Sequence, residues 1–446
     1  MKPSVIYYTI LCLSAVLLLS CNGKTTATEP SSDPTVSSLT LAANDSFPGL
    51  SKAVFTIEER TDTGLIYNVD SLLYGTRIDS VIPSFKFNHT PASATIYLPT
   101  DTISLTGTDT INFSARPVLL LVIAEDLTTR KWYKIEVNVH QVDPDLYDWE
   151  CIADYVYPTD GAEQKLVILQ DKLYVYVNYG IKNRIFTSVD GKIWEEQTVT
   201  GLPDNCKVRK MLCGQDCLWY AEDSVLYTSS DGVTWNTTDL SAESFNLKNM
   251  LFVFNDSIWA IAKEKKEDTY FLATSKDGVV WIRHDDLPSN FPTSDYAATT
   301  FLSASGRQRA MVIGGFSASG EILNTRWNVE YVPNRGYTWL NFSVTGLDFE
   351  QLTGGALIAY SDRFFLFGGA DKDNKIGNYA LLESLDEGII WTVPDSAHNM
   401  LPETYQLRTK ASVAVDSKHN IYIVGGQSRT EVFSDVYCGR LNSINW

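Results

Sequence analysis

The stretch Ser275-Lys276-Asp277-Gly278-Val279-Val280-Trp281 is one copy of a phrase that this chain repeats. The phrase occurs earlier as Ser188-Val189-Asp190-Gly191-Lys192-Ile193-Trp194 and Ser229-Ser230-Asp231-Gly232-Val233-Thr234-Trp235, and later as Ser384-Leu385-Asp386-Glu387-Gly388-Ile389-Ile390-Trp391. Trp339, which follows Asn334-Arg335-Gly336-Tyr337-Thr338, and the last residue, Trp446, continue the series. These six tryptophans recur at roughly 40–60 residues, and a period of that size means stacked, similar structural units.

Working outward from each tryptophan gives every unit the same order. An apolar run comes first (Leu166–Leu169, Met211–Cys213, Met250–Val253, Thr299–Leu302, Ala356–Ala359, Ser412–Val415), and a turn leads to a second run (Lys172–Tyr176, Cys217–Tyr220, Ser257–Ala260, Ala310–Ile313, Phe364–Phe367, Asn420–Ile423). A third strand enters the Asp-Gly turn, and Trp opens a fourth. Four antiparallel strands per unit make a propeller blade, and six first strands imply six blades over 147–446. The sixth unit ends at Trp446 without a fourth strand, whereas Tyr147-Asp148-Trp149-Glu150-Cys151-Ile152 precedes the first unit without an inner strand of its own. This segment is expected to supply the missing strand and close the ring, which removes exposed sheet edges.

The phrase resembles the Asp-box, or BNR repeat, of sialidases and other propellers. Only Ser384–Trp391 has its full spacing; the other three copies lack one residue between Asp and Gly. The Asp accepts backbone hydrogen bonds within the turn, the Gly takes a positive φ, and the Trp packs between blades. The box is therefore expected to be structural, through Asp190, Trp194, Asp231, Trp235, Asp277, Trp281, Trp339, Asp386, Trp391 and Trp446. In the last three blades Gly314-Gly315, Gly368-Gly369 and Gly425-Gly426 end the second strand, and an aromatic follows (Trp327, Tyr379, Tyr437). This arrangement resembles the kelch repeat.

Upstream, Lys2, an apolar run from Val5 to Leu19, and Ser20-Cys21 resemble a bacterial lipoprotein signal peptide, 1–21, with Cys21 as the lipidated residue. The apolar run is too short for a stable membrane span. Residues 22–36 are rich in Ser, Thr and Pro and are expected to be a flexible tether. Between 37 and 142 short alternating stretches follow one another: Ala53–Ile57, Gly64–Asn68, Ser93–Leu98, Pro117–Ala124 and Lys131–Val139. Tyr133, Ile135, Val137 and Val139 share one face of the last of these, as a half-buried antiparallel strand requires. A small immunoglobulin-like β-sandwich accommodates them, so the whole chain is expected to be all-β.

At 446 residues the chain suits two domains. Aromatics at 12% and charged residues at only 20% place it among strand-rich globular proteins. A formal net charge of -18 repels phosphate backbones, and no dense Lys/Arg stripe offsets it, which excludes nucleic acid as a partner class. With Cys12 in the leader and Cys21 assigned to lipid, Cys151, Cys206, Cys213, Cys217 and Cys438 remain, an odd number that cannot all pair. Whether Cys213 and Cys217 pair is open at this level. His89, His140, His284, His398 and His419 are isolated in sequence, so no metal centre or cofactor is expected.

In order and content the chain resembles an uncharacterised family of unknown function among Bacteroidota lipoproteins. The residues that carry the resemblance are Phe55-Thr56-Ile57, Leu65-Ile66-Tyr67-Asn68-Val69-Asp70-Ser71-Leu72-Leu73-Tyr74-Gly75-Thr76, Ala124-Glu125-Asp126 and Lys131-Trp132-Tyr133. The resemblance implies an outer-membrane lipoprotein of the cell envelope, on either face, and carries no established activity. Asp101-Thr102-Ile103 and Asp109-Thr110-Ile111 resemble that phylum's O-glycosylation acceptor.

Two functional readings follow. Asp-box and kelch propellers include sialidases, epimerases and galactose oxidases, which makes a carbohydrate-active enzyme the alternative. The sialidase Arg-Ile-Pro signature is absent, with Arg184-Ile185-Phe186 the nearest approach, and the scattered histidines do not suit a copper site. The favoured reading is a monomeric binding protein, recognising a glycan or an envelope protein in the central funnel. Just before the first strands stand Gln164, Arg209, Lys248 and Lys410, with Tyr296 and Arg408 close by. Cations gathered at one mouth would attract a carboxylated or sulfated glycan.

Overall fold

The computed structural model describes residues 29–214, 216–342, 351–371, 373, 375–377, 379–395 and 401–442. The expected signal segment with Cys21, residues 22–28 of the expected tether, His398 and Trp446 lie outside them. The chain divides into two compact units, at Asp143 and Pro144.

In the first unit alternation of apolar residues builds a two-sheet core. Val36–Leu41 pairs with Pro83–Phe87, and six further strands form a sheet in the order Phe55–Glu58, Thr63–Asn68, Arg130–Glu136, Val118–Ile123, Ser93–Tyr97, Thr102–Ser104. Val36, Leu39 and Leu41 of the small sheet share one core with Val118, Leu120, Val122, Tyr133 and Ile135 of the large one. The strand at Arg130 is antiparallel to Val118–Ile123 but parallel to Thr63–Asn68, so the expected antiparallel setting describes only one of its two edges. The expected tether is docked from Ser31 onward: the Ser31 amide donates to Glu125 Oε2 at 3.0 Å, and the Asp126 amide donates to the Ser31 carbonyl at 3.1 Å.

The second unit is a β-propeller. Among the described residues it contains six sheets, whose inner strands are Glu163–Leu169, Leu212–Cys213, Phe245–Phe254, Ala297–Leu302, Ala356–Tyr360 and Ser412–Val415 for blades 1 to 6. Blade 5 has three strands, its fourth reduced to a bridge between Glu383 and Thr392. The outer strand of blade 6 is Tyr147–Ala153, antiparallel to Val432–Leu441 with Leu441 opposite Tyr147 and Cys438 opposite Glu150. The N-terminal end of this unit thus closes the ring on its C-terminal blade.

The repeated phrase does its work locally. In blade 3 Ser275 Oγ donates to Asp277 Oδ1 at 3.1 Å, and Asp277 Oδ1 also accepts the amides of Val279 and Val280 at 2.8 and 3.0 Å. Trp281 Nε1 then donates to the Gly278 carbonyl at 3.1 Å. Blades 1 and 5 repeat these bonds, and the extra residue of blade 5, Glu387, is absorbed at φ 58. Blade 2 differs: Tyr176 of blade 1 donates to the Gly232 carbonyl, and Trp235 Nε1 is buried without a partner.

The glycine of each phrase also meets the preceding blade. A Cβ on Gly278 would lie 2.8 Å from Leu226, one on Gly232 2.5 Å from Tyr174, and one on Gly388 2.4 Å from Met311. The Asp-box is therefore a joint between blades. The double glycines are a second joint. A Cβ on Gly368 would stand 2.1 Å from the Arg408 carbonyl, because the chain leading into blade 6 crosses there.

Candidate functional site

The loops that lead into the inner strands meet in a hydrogen-bonded collar around the propeller axis. Asp295, Gly354 and Lys410 precede the inner strands of blades 4, 5 and 6, and all three have left-handed backbone, at φ 50, 67 and 56. The Gly354 amide donates to the Asp295 carbonyl at 3.2 Å, and the Lys410 amide donates to the Gly354 carbonyl at 2.7 Å. Across the ring the Lys410 carbonyl accepts Gln164 Nε2 of blade 1 at 3.1 Å and Arg209 Nη1 of blade 2 at 2.9 Å. Tyr296 joins blade 3, its hydroxyl donating to the Met250 carbonyl at 2.8 Å. Non-glycine residues with positive φ store strain that the surroundings must hold, and such strain gathers at functional sites.

Below the collar the inner strands of blades 1, 2, 3, 4 and 6 line a cavity of about 580 Å³, within the size range of ligand pockets. Four basic side chains line it, Lys165, Lys207, Arg209 and Lys210, against two carboxylates, Glu163 and Asp295. A smaller recess of about 280 Å³ adjoins it, with Gln164, Arg209 and Lys410 in its wall. Burial pushes the Arg209 guanidinium down from its ordinary value, opposed by Asp295, whose Oδ1 lies 3.8 Å from Arg209 Nε. Burial, with repulsion from Arg209, pushes the Lys165 amine down to about 8. Burial raises the Tyr296 hydroxyl, which stays protonated as a hydrogen-bond donor.

The structure thus brings together Gln164, Arg209, Tyr296 and the backbone of Lys410, and separates two other candidates from them. Arg408 does not face the mouth. Its side chain is fully buried, forms a two-pronged ion pair with Asp435, and lies over the rings of Tyr405 and Phe433 at 4.4 and 4.1 Å. Lys248 is the extra residue of a bulge between Leu247 and Asn249, and its amine pairs with Asp223 at 3.2 Å. The bulge brings Asn249 to the cavity in its place. Gln164 is buried and tied to the Lys410 and Val424 carbonyls, so it joins blades 1 and 6.

Sequence reasoning missed Lys165 and Lys210. The inner strand of blade 1 begins at Glu163, earlier than the apolar run suggests, and a shift of one residue moves a side chain to the opposite face of a strand. Lys210 lies in a short 3-10 turn, Val208–Lys210, that no apolar pattern marks. Cys151, Cys206, Cys213, Cys217 and Cys438 are free, and burial pushes the Cys213 thiol up to about 11. Among the described residues no cluster of three or more His, Cys, Asp or Glu is placed to hold a metal, and no helix is long and apolar enough to cross a membrane.

No curated protein matches this chain. A solved structure titled "Structure of YjhT" is similar at 12% identity with a TM-score of 0.43, over 64% of this chain and 96% of that one. Two models of one family match in tandem: the DUF6242 N-terminal domain over residues 24–137 and the DUF6242 beta propeller domain over residues 143–446. With both domains matched in order over most of its length, the chain belongs to the DUF6242 family, whose function is unknown.

Proposed function

We propose that the propeller is a binding module for an anionic ligand, a carboxylated or sulfated glycan, taken into the central cavity. The observation that carries this reading is the cavity's excess of cations, four basic side chains against two carboxylates, in a chain of net charge -18. Such a local reversal of sign focuses field lines and attracts anions to the cavity. The ring of Tyr296 in the cavity wall offers a sugar an apolar face.

An array of neutral, uronate-bearing and sulfated glycans tests the reading. The full chain is expected to retain the anionic members and to release them at about 0.5 M salt, where exposed charges are screened within a few ångströms. Retention of neutral glycans alone, undiminished by salt, would remove it. A Lys248→Ala variant is expected to bind as the natural chain does, because that amine is spent on Asp223.

The same proposal places the protein in the cell envelope, anchored by lipid on Cys21. Partition of the natural chain into a detergent phase, and of Cys21→Ser into the aqueous phase, is the expected result. Equal partition of the two would exclude the anchor.

A further inference from the structure

Two cations of the cavity lack full partners, Arg209 at a buried nitrogen and Lys165 at the amine of a half-buried side chain. Arg209 spends Nη1 on the Lys410 carbonyl, but its Nε is buried and makes no hydrogen bond. The Asp295 oxygen at 3.8 Å is an ion-pair neighbour, beyond hydrogen-bond reach. Lys165 forms no ion pair among the described residues, and the groups that act on its charge are Arg209 and Cys213, not a carboxylate. Desolvating a cation without a counter-charge is costly unless something else fills that role.

We infer that Lys165 and Arg209 form an oxyanion subsite of the cavity, gripping one carboxylate or sulfate group between an amine and a guanidinium edge. This rests on the reading of the cavity as an anion site, and it names the group that is held and the residues that hold it. The surroundings supply no anion that pairs with the Lys165 amine or accepts a hydrogen bond from Arg209 Nε among the described residues. The Cys213 thiol is held neutral by burial and donates to the Ile168 carbonyl at 3.0 Å, and the Tyr296 hydroxyl is committed to Met250. Two carboxylates face the same cavity: Asp295, whose Oδ1 lies 3.8 Å from Arg209 Nε, and Glu163, two residues before Lys165 and so on the same face of its strand. Both favour the charge of Arg209, and neither forms an ion pair with Lys165. Lys210, whose amine donates to the Lys248 carbonyl at 3.1 Å, and Lys207 add positive charge at the rim. Guanidinium N–H groups bind planar and tetrahedral oxyanions through charge-assisted bonds, with the amine as a second point charge.

A pH signature follows. The free amine titrates at about 8 because burial and Arg209 disfavour its charged form. A bound oxyanion favours that form and raises the value again. Binding therefore takes up protons at a pH above that of the free amine and takes up few well below it, and affinity falls as pH rises through this range.

Isothermal titration of the full chain with a galacturonate tetramer and a chondroitin sulfate tetrasaccharide, in buffers of different ionisation enthalpy at about pH 6.5 and about pH 9, reads this directly. The two probes distinguish a carboxylate from a sulfate as the group held. The natural chain is expected to bind at least one of them, with proton uptake confined to the higher pH. Lys165→Met should weaken binding roughly tenfold and abolish the uptake, and Arg209→Lys should weaken it several-fold. Lys165→Arg keeps the charge but cannot titrate here, so it should bind without the pH signature, and it stands in if the Met variant fails to fold. Binding by the natural chain that is unchanged in Lys165→Met, or proton uptake that persists in Lys165→Arg, overturns the subsite and leaves the anion reading of the cavity standing. Failure of the natural chain to bind either probe overturns both.

Discussion

Arg408 carries a full charge into the interior of the propeller. Its guanidinium is held between the Asp435 carboxylate on one edge and the faces of Tyr405 and Phe433, and Nη1 also donates to the Gly425 carbonyl at 3.1 Å. Removing one member of a buried ion pair strands the other, at about 3–5 kcal/mol. Arg408→Met is therefore expected to lower the unfolding free energy by about that much in urea titrations, and Asp435→Asn by a comparable amount. Neither change touches the cavity, so anion binding by the folded fraction should persist. A loss of binding with stability intact would return Arg408 to the site.

At the scale of the element, the Asp-box is a charged turn whose stability depends on pH. Bonds from the Ile193 and Lys192 amides hold the Asp190 carboxyl below its ordinary value, and bonds from the Val280 and Val279 amides do the same for Asp277. Asp231 is also lowered: burial raises it, and the amides of Thr234 and Val233 outweigh that effect. A carboxyl depressed by folding contributes stability that is complete above its unfolded value, near 3.8, and is lost as pH falls through the folded value. Thermal unfolding of the natural chain should thus weaken progressively below about pH 4, and an Asp190→Asn, Asp231→Asn, Asp277→Asn variant should show a shallower acid slope from a lower starting point. Parallel slopes would mean that these turns do not carry the linkage. This element was legible in the sequence because its chemistry lies within seven consecutive residues; strand order followed because a repeat multiplies the signal. What is long-range was not legible. Lys165 and Arg209 come from different blades, the bulge at Lys248 has no sequence mark, and Arg408 reads as a cation of the funnel mouth until Asp435, in another strand, is placed beside it. In the first unit Val36–Leu41 and Pro83–Phe87 escaped notice because each is a lone edge with one partner, half its residues facing water.

At the scale of the whole molecule, the propeller is a ring whose only covalent opening lies between Tyr147–Ala153 and Val432–Leu441. Non-covalent contact holds the two ends together: Tyr147 is buried at the end of the closing strand, 5.3 Å edge-on from Phe365, and Trp149 lies 6.2 Å from Phe367. The Tyr157 hydroxyl and the Gln164 side-chain amide donate to the carbonyls of Phe433 and Val424 at 2.9 and 3.0 Å. Global unfolding of such a ring must part this seam, because every other pair of neighbouring blades remains linked through the chain. A covalent bond across the seam should therefore stabilise the whole propeller, which follows from the closure and from nothing in a single blade. Glu150 is directly opposite Cys438, and the spacing of facing residues in an antiparallel pair lies within reach of a disulfide. Glu150→Cys is expected to form that bridge under oxidising conditions. The loop it closes spans nearly the entire propeller, so the entropic gain is close to the upper end for a disulfide, and about 2–4 kcal/mol is expected after native-state strain. The measurement is the urea midpoint with and without reductant, with Glu150→Ser as the control for the lost carboxylate. A bridge that forms and leaves the midpoint where reduction puts it would mean that unfolding begins inside a blade and not at the seam, and the ring would then owe its stability to its parts.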